Sequence, residues 1–271
     1  MKKCYIENLA FNVTDNCNLN CAHCLRGKKI NNYISDEVIE KTLDQVACIG
    51  NIAINGGEPT LAISKIEKII SYIIDNSIQV DEFTMTINGT IYSEELLKLL
   101  DEIDNYIGSD NLQALFAISL DDYHIDEINR LNLTEQFIEN IKKYKENKHF
   151  YGFRGINKKL FREGNAKNLD SKKTVPLRPM KTYITYVGKK SKYDRENGLC
   201  NIGPLVTIGT TGIITECDAS ITNQSLLYNY GNILYNPIED IVLQNGELIT
   251  NPKKFEKLAN KEMKRYRTYN K

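Results

Sequence analysis

Strand-like and helix-like segments alternate through the first two thirds of the chain, and this alternation limits the fold more than any other feature. Four runs rich in β-branched and aromatic residues each precede a segment with apolar residues at helical spacing: YIENLAFNV, NIAIN, EFTMTI and LQALFAISL. Ser35 and Ser93 stand where helix N-caps are expected. Because parallel strands need crossover helices, the pattern predicts an α/β protein with a parallel sheet, as an open doubly wound sheet or a closed or partial barrel.

The alternation weakens after residue 150. Residues 156 to 181 are basic and irregular, and TYITYV is predicted to form one more strand. Beyond Cys200, short β-like pieces surround a GTTG turn, and a charged C-terminal helix follows. We therefore expect a main domain over residues 1–190 and a small β-hairpin and helix extension over residues 191–271.

Charge and hydropathy narrow the function classes. The 35 basic and 35 acidic residues give zero formal charge, so the whole molecule has no long-range attraction to nucleic acid or to an anionic membrane. No stretch approaches the ~18 apolar residues of a membrane span, and the N-terminus lacks the pattern of a signal peptide. We expect a cytoplasmic protein whose seven cysteines serve as metal ligands, catalytic thiols or core residues.

Three of these cysteines lie in one predicted loop, TDNCNLNCAHCLRG, directly after the first strand. Cys17, Cys21 and Cys24 form the pattern C-x3-C-x2-C. Structural zinc sites use four ligands, whereas three thiolates can hold three irons of a [4Fe–4S] cluster and leave the fourth iron open. A zinc site completed by a distant ligand, or incidental thiols, remain the alternatives on spacing alone.

Short polar motifs follow the later strands. A carboxylate beside glycines and exposed backbone groups can hold an ammonium group. The carboxyl ends of parallel strands meet at one edge of a sheet or barrel, so these motifs are expected to line one face. The candidate residues come from NGGEPT, INGT and SLDD: Gly56, Gly57, Glu58, Pro59, Asn88 and Ser119.

Together these motifs resemble those of the radical S-adenosylmethionine (SAM) enzymes. The resemblance implies a partial (β/α)6 TIM-like barrel. It implies that Cys17, Cys21 and Cys24 hold a [4Fe–4S] cluster whose open iron chelates SAM. It further implies that Glu58 and the neighbouring backbone of GGEP meet the SAM amino group, with Asn88 among the cofactor-facing residues.

Two further stretches are similar to the peptide- and protein-modifying branch of that superfamily. SLDDYHIDEINR resembles a segment that implies a ribose contact from Ser119 and a carboxylate contact from Arg130. His23 stands where the family usually has an aromatic residue, and its imidazole is expected beside adenine. FREGNAKN is similar to the EGRAKN stretch of the same branch.

Cys200 and Cys217 form the pattern C-x11-G-x4-C, which resembles the opening of the auxiliary-cluster domain known as SPASM, or twitch in its shorter form. Three interpretations stay open. The two cysteines bind a second iron–sulfur cluster, they belong to a degenerate scaffold without metal, or Cys217 donates hydrogen to a substrate radical. We favour the metal-free scaffold, because no cysteine follows Cys217.

The resemblance implies an enzyme that reductively cleaves SAM to a 5′-deoxyadenosyl radical and abstracts hydrogen from a peptide or protein, as in epimerisation or crosslinking. The alternatives are a small-molecule substrate, such as a sugar or nucleoside, and a non-catalytic Fe–S and SAM-binding protein. The expected electron donor is of flavodoxin or ferredoxin type. No peptide-binding domain is expected upstream, so recognition of a leader would need another chain.

The remaining cysteines and histidines have simpler expected roles. Cys4, at the start of the first strand, and Cys48, near the apolar face of the first helix, are interpreted as core residues. His124 and His149 stand alone among polar residues and are predicted to lie at the surface.

Overall fold

A computed structural model describes residues 4–155, 160–187, 198–215 and 221–269. Its centre is a set of parallel strands that are hydrogen-bonded to one another in chain order. They are β1 (Cys4–Asn12), β2 (Val46–Asn55), β3 (Gln79–Ile87), β4 (Ala114–Ser119) and β5 (Phe150–Arg154). The predicted α/β class is confirmed, with the parallel sheet of a partial TIM-like barrel.

Amphipathic helices cover one face of these strands. Helix α2 (Ile63–Asp75) buries Ile66, Ile69, Ile70 and Ile73 at helical spacing. Ser35 and Ser93 are N-caps as predicted, since each side chain accepts a hydrogen bond from a backbone N–H three residues further on. The helices are α1 (Asp36–Leu43), α2 (Ile63–Asp75), α3 (Glu94–Ile107), α4 (Asp122–Arg130) and α5 (Thr134–Lys145).

The position predicted for Cys48 is wrong. Helix α1 ends at Leu43 and strand β2 already begins at Val46, so Cys48 lies on the strand beside Tyr5 of β1. It is only half-buried, so the expected core position is also wrong. The apolar spacing of the helix continues by chance across the turn, but the ladder between β1 and β2 extends to Val46. The cross-strand hydrogen bonds therefore decide where the strand begins.

The rest of the chain adds short elements around this sheet. The GTTG turn joins β10 and β11 as an antiparallel pair, as predicted, with Gly212 at φ +82°. The strands are β6 (Leu160–Phe161), β7 (Thr174–Val175), β8 (Tyr183–Val187), β9 (Leu199–Gly203), β10 (Val206–Ile208), β11 (Ile213–Thr215), β12 (Gly231–Asn232) and β13 (Glu247–Leu248). The helices are α6 (Ile221–Leu226), α7 (Ile238–Asn245) and α8 (Pro252–Tyr269).

Strand β1 joins the two parts of the chain. Its first residues pair with β9 and its last residues pair with β10, both in parallel, while β2 occupies its other edge. TYITYV does form a strand, β8, but it pairs with β9, and among the described residues no strand follows β5 at its outer edge. The domain boundary near residue 190 stays a prediction. None of the described helices is long and apolar enough to cross a membrane.

The two faces of the parallel sheet differ in polarity. Residues such as Leu9, Ile52 and Phe83 point into the main hydrophobic core under the helices. The alternate residues face the other side, and there Asn51 accepts a hydrogen bond from Thr84 Oγ1 at 3.1 Å, while Asn8 Nδ2 donates to Pro204 O at 2.6 Å. Most TIM barrels fill this interior with bulky apolar residues. This interior face is mixed here, because Ala10, Ala53, Met180 and Leu205 form a small apolar cluster beside the polar groups. The polar groups suit a polar ligand.

Glu7 gives the fold a pH dependence. Burial, with a smaller contribution from Glu256, raises the pKa of Glu7 to about 7. The unfolded chain releases this proton near the ordinary pKa of a glutamate, whereas the folded chain releases it only at a higher pH. The free energy of unfolding therefore falls as the pH rises from about 4.5 to 7. We predict that Glu7→Gln stabilises the protein by up to about 2–3 kcal/mol at pH 8 and much less at pH 5.

Urea unfolding of wild type and Glu7→Gln at both pH values measures this difference. Glu82→Gln is the matched control, because Glu82 is an exposed carboxylate on β3. A gain from Glu7→Gln that is equal at pH 5 and pH 8 would contradict the prediction.

Candidate functional site

The cysteine-rich segment forms a closed loop between β1 and α1. Val13 lies at its neck, where its N–H donates to Asn55 O at 2.9 Å and its carbonyl accepts from Ile34 N at 3.0 Å. Thr14 and Tyr33 form an isolated bridge across the same neck. The loop therefore starts and ends at the carboxyl edge of the sheet, where α/β barrel enzymes hold their active sites.

Cys17, Cys21 and Cys24 lie close enough within this loop to influence one another electrostatically. Burial raises the pKa of Cys17, and it raises the pKa of Cys21 to about 12, with the other two cysteines adding to the effect on Cys21. Burial and the neighbouring sulfurs therefore disfavour the thiolate forms of Cys17 and Cys21. A bound metal reverses this preference, because it favours the deprotonated ligand.

The GGEP segment packs directly against the cysteine loop. Gly57 N donates to Thr14 O at 2.7 Å, and Glu58 N donates to Asn16 O at 2.8 Å. A Cβ atom on Gly57 would collide with Asn16 O and would lie 3.1 Å from Cys17 Cβ. The glycine thus permits the end of β2 to approach the loop closely.

The Glu58 carboxylate lies inside the protein, with only 1% of the residue exposed. It accepts hydrogen bonds from Asn88 N at 2.8 Å, from Thr60 N at 3.1 Å and from Thr60 Oγ1 at 2.6 Å. Burial raises its pKa to about 7, against the effect of these donors. The side chain therefore ties the end of β2 to the end of β3, just before the short 3-10 helix that begins at Pro59.

Asn88 links the end of β3 to the cysteine loop. Its Nδ2 donates to Asn18 Oδ1 at 2.7 Å and lies 3.9 Å from Cys17 Sγ. Thr90 fixes this amide, because Thr90 N and Oγ1 both donate to Asn88 Oδ1, while Asn18 Nδ2 donates to Thr90 Oγ1 at 2.8 Å. Glu58, Asn88 and the loop therefore form one connected network of hydrogen bonds.

Helix α4 contacts the loop from the other side. Arg130 forms a bidentate ion pair with Glu127: its Nε donates to Oε2 at 2.7 Å, and an Nη donates to Oε1 at 2.9 Å. Asn20 N also donates to Glu127 Oε1, at 2.8 Å. Ser119 is the last residue of β4 and is half-buried, beside Arg154 of β5. Arg130 is thus oriented by a carboxylate that also holds the cysteine loop.

His124 is the residue near the loop that sequence reasoning missed. Its predicted surface position is wrong, because the residue is only 4% exposed. Its Nε2 lies 3.0 Å from Asn88 O and its Nδ1 lies 3.9 Å from Cys21 Sγ. Burial lowers its pKa, which favours the neutral imidazole. The available signal was the spacing of His124, Glu127 and Arg130, which puts them on one side of a helix.

The prediction for His149 is wrong for a similar reason. This residue is fully buried, with its Nδ1 2.8 Å from Ala114 O and its Nε2 3.0 Å from Asp101 Oδ1. His149 follows helix α5 and joins it to β4 and α3, away from the cysteine loop. Its role is structural.

His23 lies within the loop, as the sequence requires, and faces the start of α4. Its Nε2 is 3.6 Å from Asp121 Oδ2, and its ring centroid is 5.1 Å from that of Tyr123. Burial lowers the pKa of His23 although Asp121 opposes the effect. A neutral ring of this kind can stack beside a planar base.

The segment that contains EGNAKN packs on the opposite side of the loop. Asn165 N donates to Cys24 O at 2.8 Å, and Asn165 Nδ2 donates to Cys21 O at 3.0 Å. Gly164 has φ +54°, and a Cβ atom there would collide with Cys24 O and Leu25 O. These contacts fix the backbone between the last two loop cysteines.

A cleft of about 370 Å³ lies between this segment and the end of the loop. Four cationic residues line it, together with Glu163 and several amide side chains. Arg26 also forms a buried ion pair with Asp15, with 2.6 Å between Nη2 and Oδ1. The surplus of positive charge favours an anionic group in the cleft. The cationic residues are Arg26, Lys28, Arg162 and Lys167.

Of the two C-terminal cysteines, the structure describes Cys200. Cys200 is fully buried on β9, opposite Cys4 of β1 in the parallel register. Cys217 lies outside the described residues, so both roles considered for it, auxiliary ligand and hydrogen donor, stay predictions. The interpretation of Cys4 as a buried residue agrees with its 2% exposure.

The family of the chain follows from comparison with known proteins. The model of the radical SAM superfamily matches residues 11–161, more than half of the chain. The chain therefore belongs to the radical SAM superfamily, and it is a radical SAM enzyme. The cofactors of that family are a [4Fe–4S] cluster and SAM.

Particular relatives cover only part of the chain. It is 30% identical over 129 residues to the uncharacterized protein MJ0907 of Methanocaldococcus jannaschii, covering 46% of this chain and 42% of the relative. It is also 30% identical over 156 residues to the GTP 3′,8-cyclase of Clostridium perfringens, covering 52% and 44%. The chain thus spans less than half the length of these curated relatives.

One solved structure shares the fold over most of the chain. This is anSMEcpe with bound AdoMet and the Cp18Cys peptide, with a TM-score of 0.53 and 14% identity. The match covers 94% of this chain and 82% of that chain. At this identity the likeness establishes the fold alone.

The loop cysteines generate the first prediction from the site. We predict that anaerobically reconstituted protein binds about four irons, and that alanine at Cys17, Cys21 and Cys24 together removes them, because each thiolate should hold one iron of a cubane. Iron analysis and the visible absorption spectrum measure the loss. Cys48→Ala is the matched control, and full iron retention in the triple variant would contradict the assignment.

Glu58 generates the second prediction from the site. Glu58→Gln replaces one accepting oxygen with an NH2 group that cannot accept from Asn88 N or Thr60, so we predict an intact cluster with SAM bound about tenfold to a hundredfold more weakly, equivalent to about 1.5–3 kcal/mol. Equilibrium binding of SAM to the reconstituted variant measures the change. Glu67→Gln, an exposed position on α2, should behave as wild type. Unchanged affinity in Glu58→Gln would remove Glu58 from the SAM site.

Proposed function

We propose that this enzyme uses a SAM-derived radical to modify a peptide or protein. The observation that carries this proposal is the packing of the EGNAKN segment on the cysteine loop, through Asn165 to the carbonyls of Cys21 and Cys24. The sequence of this segment resembles the peptide-modifying branch, and the structure places it against the loop. The chain also shares its fold with anSMEcpe, whose structure contains a bound peptide, and this likeness of fold supports the proposal.

In this proposal Cys17, Cys21 and Cys24 hold three irons of the cluster. The donor set fits the group, because three thiols converge in one closed loop and Gly57 brings the next strand end close to them. A cluster held there would supply the electron for cleavage of SAM into methionine and a 5′-deoxyadenosyl radical. The chemistry is the cofactor's, and the chain contributes binding and orientation.

The amino end of SAM is assigned to the GGEP segment. The backbone of this segment runs through Gly56, Gly57 and Pro59. The Glu58 carboxylate holds it in place through hydrogen bonds from Asn88 and Thr60. In this proposal Glu58 is a positioning residue whose carboxylate also places negative charge near the SAM ammonium. An ammonium nearby would lower the raised pKa of Glu58 and keep it ionised.

The other end of SAM is assigned to α4 and the end of β4. Arg130 meets the SAM carboxylate, Ser119 meets the ribose and His23 stacks beside adenine. Glu127 orients Arg130 through two hydrogen bonds, so the guanidinium is presented in a fixed direction although its side chain is 63% exposed. His124 keeps the loop in place through its contacts to Asn88 and Cys21.

We assign the substrate to the interior face of the sheet, next to its polar groups. Asn12, at the carboxyl end of β1, is 0% exposed, and within the described part of the chain neither atom of its amide group has a hydrogen-bond partner. An amide with one acceptor and two donors matches a peptide group, which also offers both. A buried polar group without a partner costs free energy, which a bound ligand would recover.

A nucleotide is the second candidate substrate, for which two observations speak. The chain is 30% identical to GTP 3′,8-cyclase over 156 residues, and the cleft beside the loop is lined by four cationic residues that suit phosphate. In either case the electron comes from an external donor, for which we propose a flavodoxin- or ferredoxin-type protein.

Two assays test the proposal in order. The reconstituted enzyme, reduced anaerobically with SAM, should form 5′-deoxyadenosine, and the cysteine triple variant should form none. Peptides encoded beside this gene, carrying deuterium at α and side-chain carbons, should then transfer the label to 5′-deoxyadenosine. Label transfer from GTP but from no peptide would replace the peptide proposal with the nucleotide one. Arg162→Ala, in the cleft, should weaken GTP turnover and leave basal SAM cleavage unchanged.

A further inference from the structure

A second cluster of ligating side chains lies at the end of β1 away from the cysteine loop. Cys4, Cys200 and Glu239 each offer one ligand atom, and these three atoms lie within 4.8 Å of one another. Cys4 is 2% exposed and Cys200 is fully buried, while Glu239 at the start of α7 is partly exposed. The cluster joins three elements that are far apart in sequence.

From this juxtaposition we propose that Cys4, Cys200 and Glu239 bind a single thiophilic divalent ion of the zinc type. Around zinc, with Zn–S bonds of about 2.3 Å, tetrahedral ligand atoms stand about 3.8 Å apart, and the three ligand atoms here lie within 4.8 Å of one another. The thiolates of a cubane each bind a different iron and stand farther apart. The spacing therefore favours one ion over a second iron–sulfur cluster, with a water molecule as fourth ligand.

The surrounding backbone holds the three ligands in place without a metal. Cys4 and Cys200 are register partners on neighbouring parallel strands. Gln45 fixes the elements on both sides of the site, since its carbonyl accepts from Cys4 N at 2.8 Å and its Oε1 accepts from Ile238 N at 2.8 Å. The positions of Cys4 and of the first turn of α7 are thus set by the same residue.

The carboxylate has the outer contact that metal ligands need. Tyr186 OH donates to Glu239 Oε1 at 2.6 Å, which orients the group towards the two sulfurs. A divalent ion bound here would take both cysteines as thiolates, and its charge would offset theirs and that of the carboxylate. A bound ion at this place would connect β1, β9 and α7, and so hold the C-terminal region against the parallel sheet.

The experiment counts metals in the full-length reconstituted protein and in variants. Wild type should contain about four irons and about one zinc per chain. Cys4→Ser and Cys200→Ser should each lose the zinc and keep the iron, and Cys48→Ser is the matched control that keeps both. The cysteine-loop triple variant should lose the iron and keep the zinc, which excludes zinc bound adventitiously by the loop.

Glu239→Gln keeps the assay informative if a cysteine variant fails to fold, because Glu239 is partly exposed and the change is conservative. It should weaken zinc binding about tenfold or more. Cobalt added to the triple variant should give the spectrum of a tetrahedral ion with two thiolates. Absence of zinc and cobalt binding, zinc retained in the Cys4 and Cys200 variants, or loss of about four irons with them would overturn the proposal.

Discussion

Strand β1 is hydrogen-bonded along both of its edges, and the remaining architecture depends on this. One edge carries β2 and, through it, the whole parallel series, while the other carries β9 at one end and β10 at the other. The cysteine loop leaves from the carboxyl end of the same strand, and its neck is closed by bonds to Asn55 and Ile34. A displacement of β1 would therefore disturb the candidate SAM site and the C-terminal region together.

The candidate SAM site is held by a buried network and not by the loop alone. Glu58 connects the ends of two strands, Asn88 extends the connection to Asn18, and Glu127 anchors Asn20 on the other side. Networks of this kind stabilise one arrangement only when every member is satisfied. The geometry of the cysteines therefore depends on several strand ends and on α4, and not on the loop alone.

Much of this could be predicted from the sequence, because the strands, the helix caps and the cysteine loop are signalled by local patterns. Features that depend on tertiary contacts could not. His124 has polar neighbours in sequence, and only the packing of α4 under the loop buries it. The approach of Cys200 to Cys4 depends on β9 choosing the free edge of β1, a pairing that no local periodicity encodes. The partners of β8 are non-local for the same reason.

The double pairing of β1 also has a consequence for synthesis on the ribosome. The strand is made well before the residues that cover its second edge, which are residues 199–208 of β9 and β10. Contacts of such long range slow folding, and an uncovered strand edge is a template for pairing with other chains. Until residues 199–208 have been made, the nascent protein therefore carries one uncovered edge of β1.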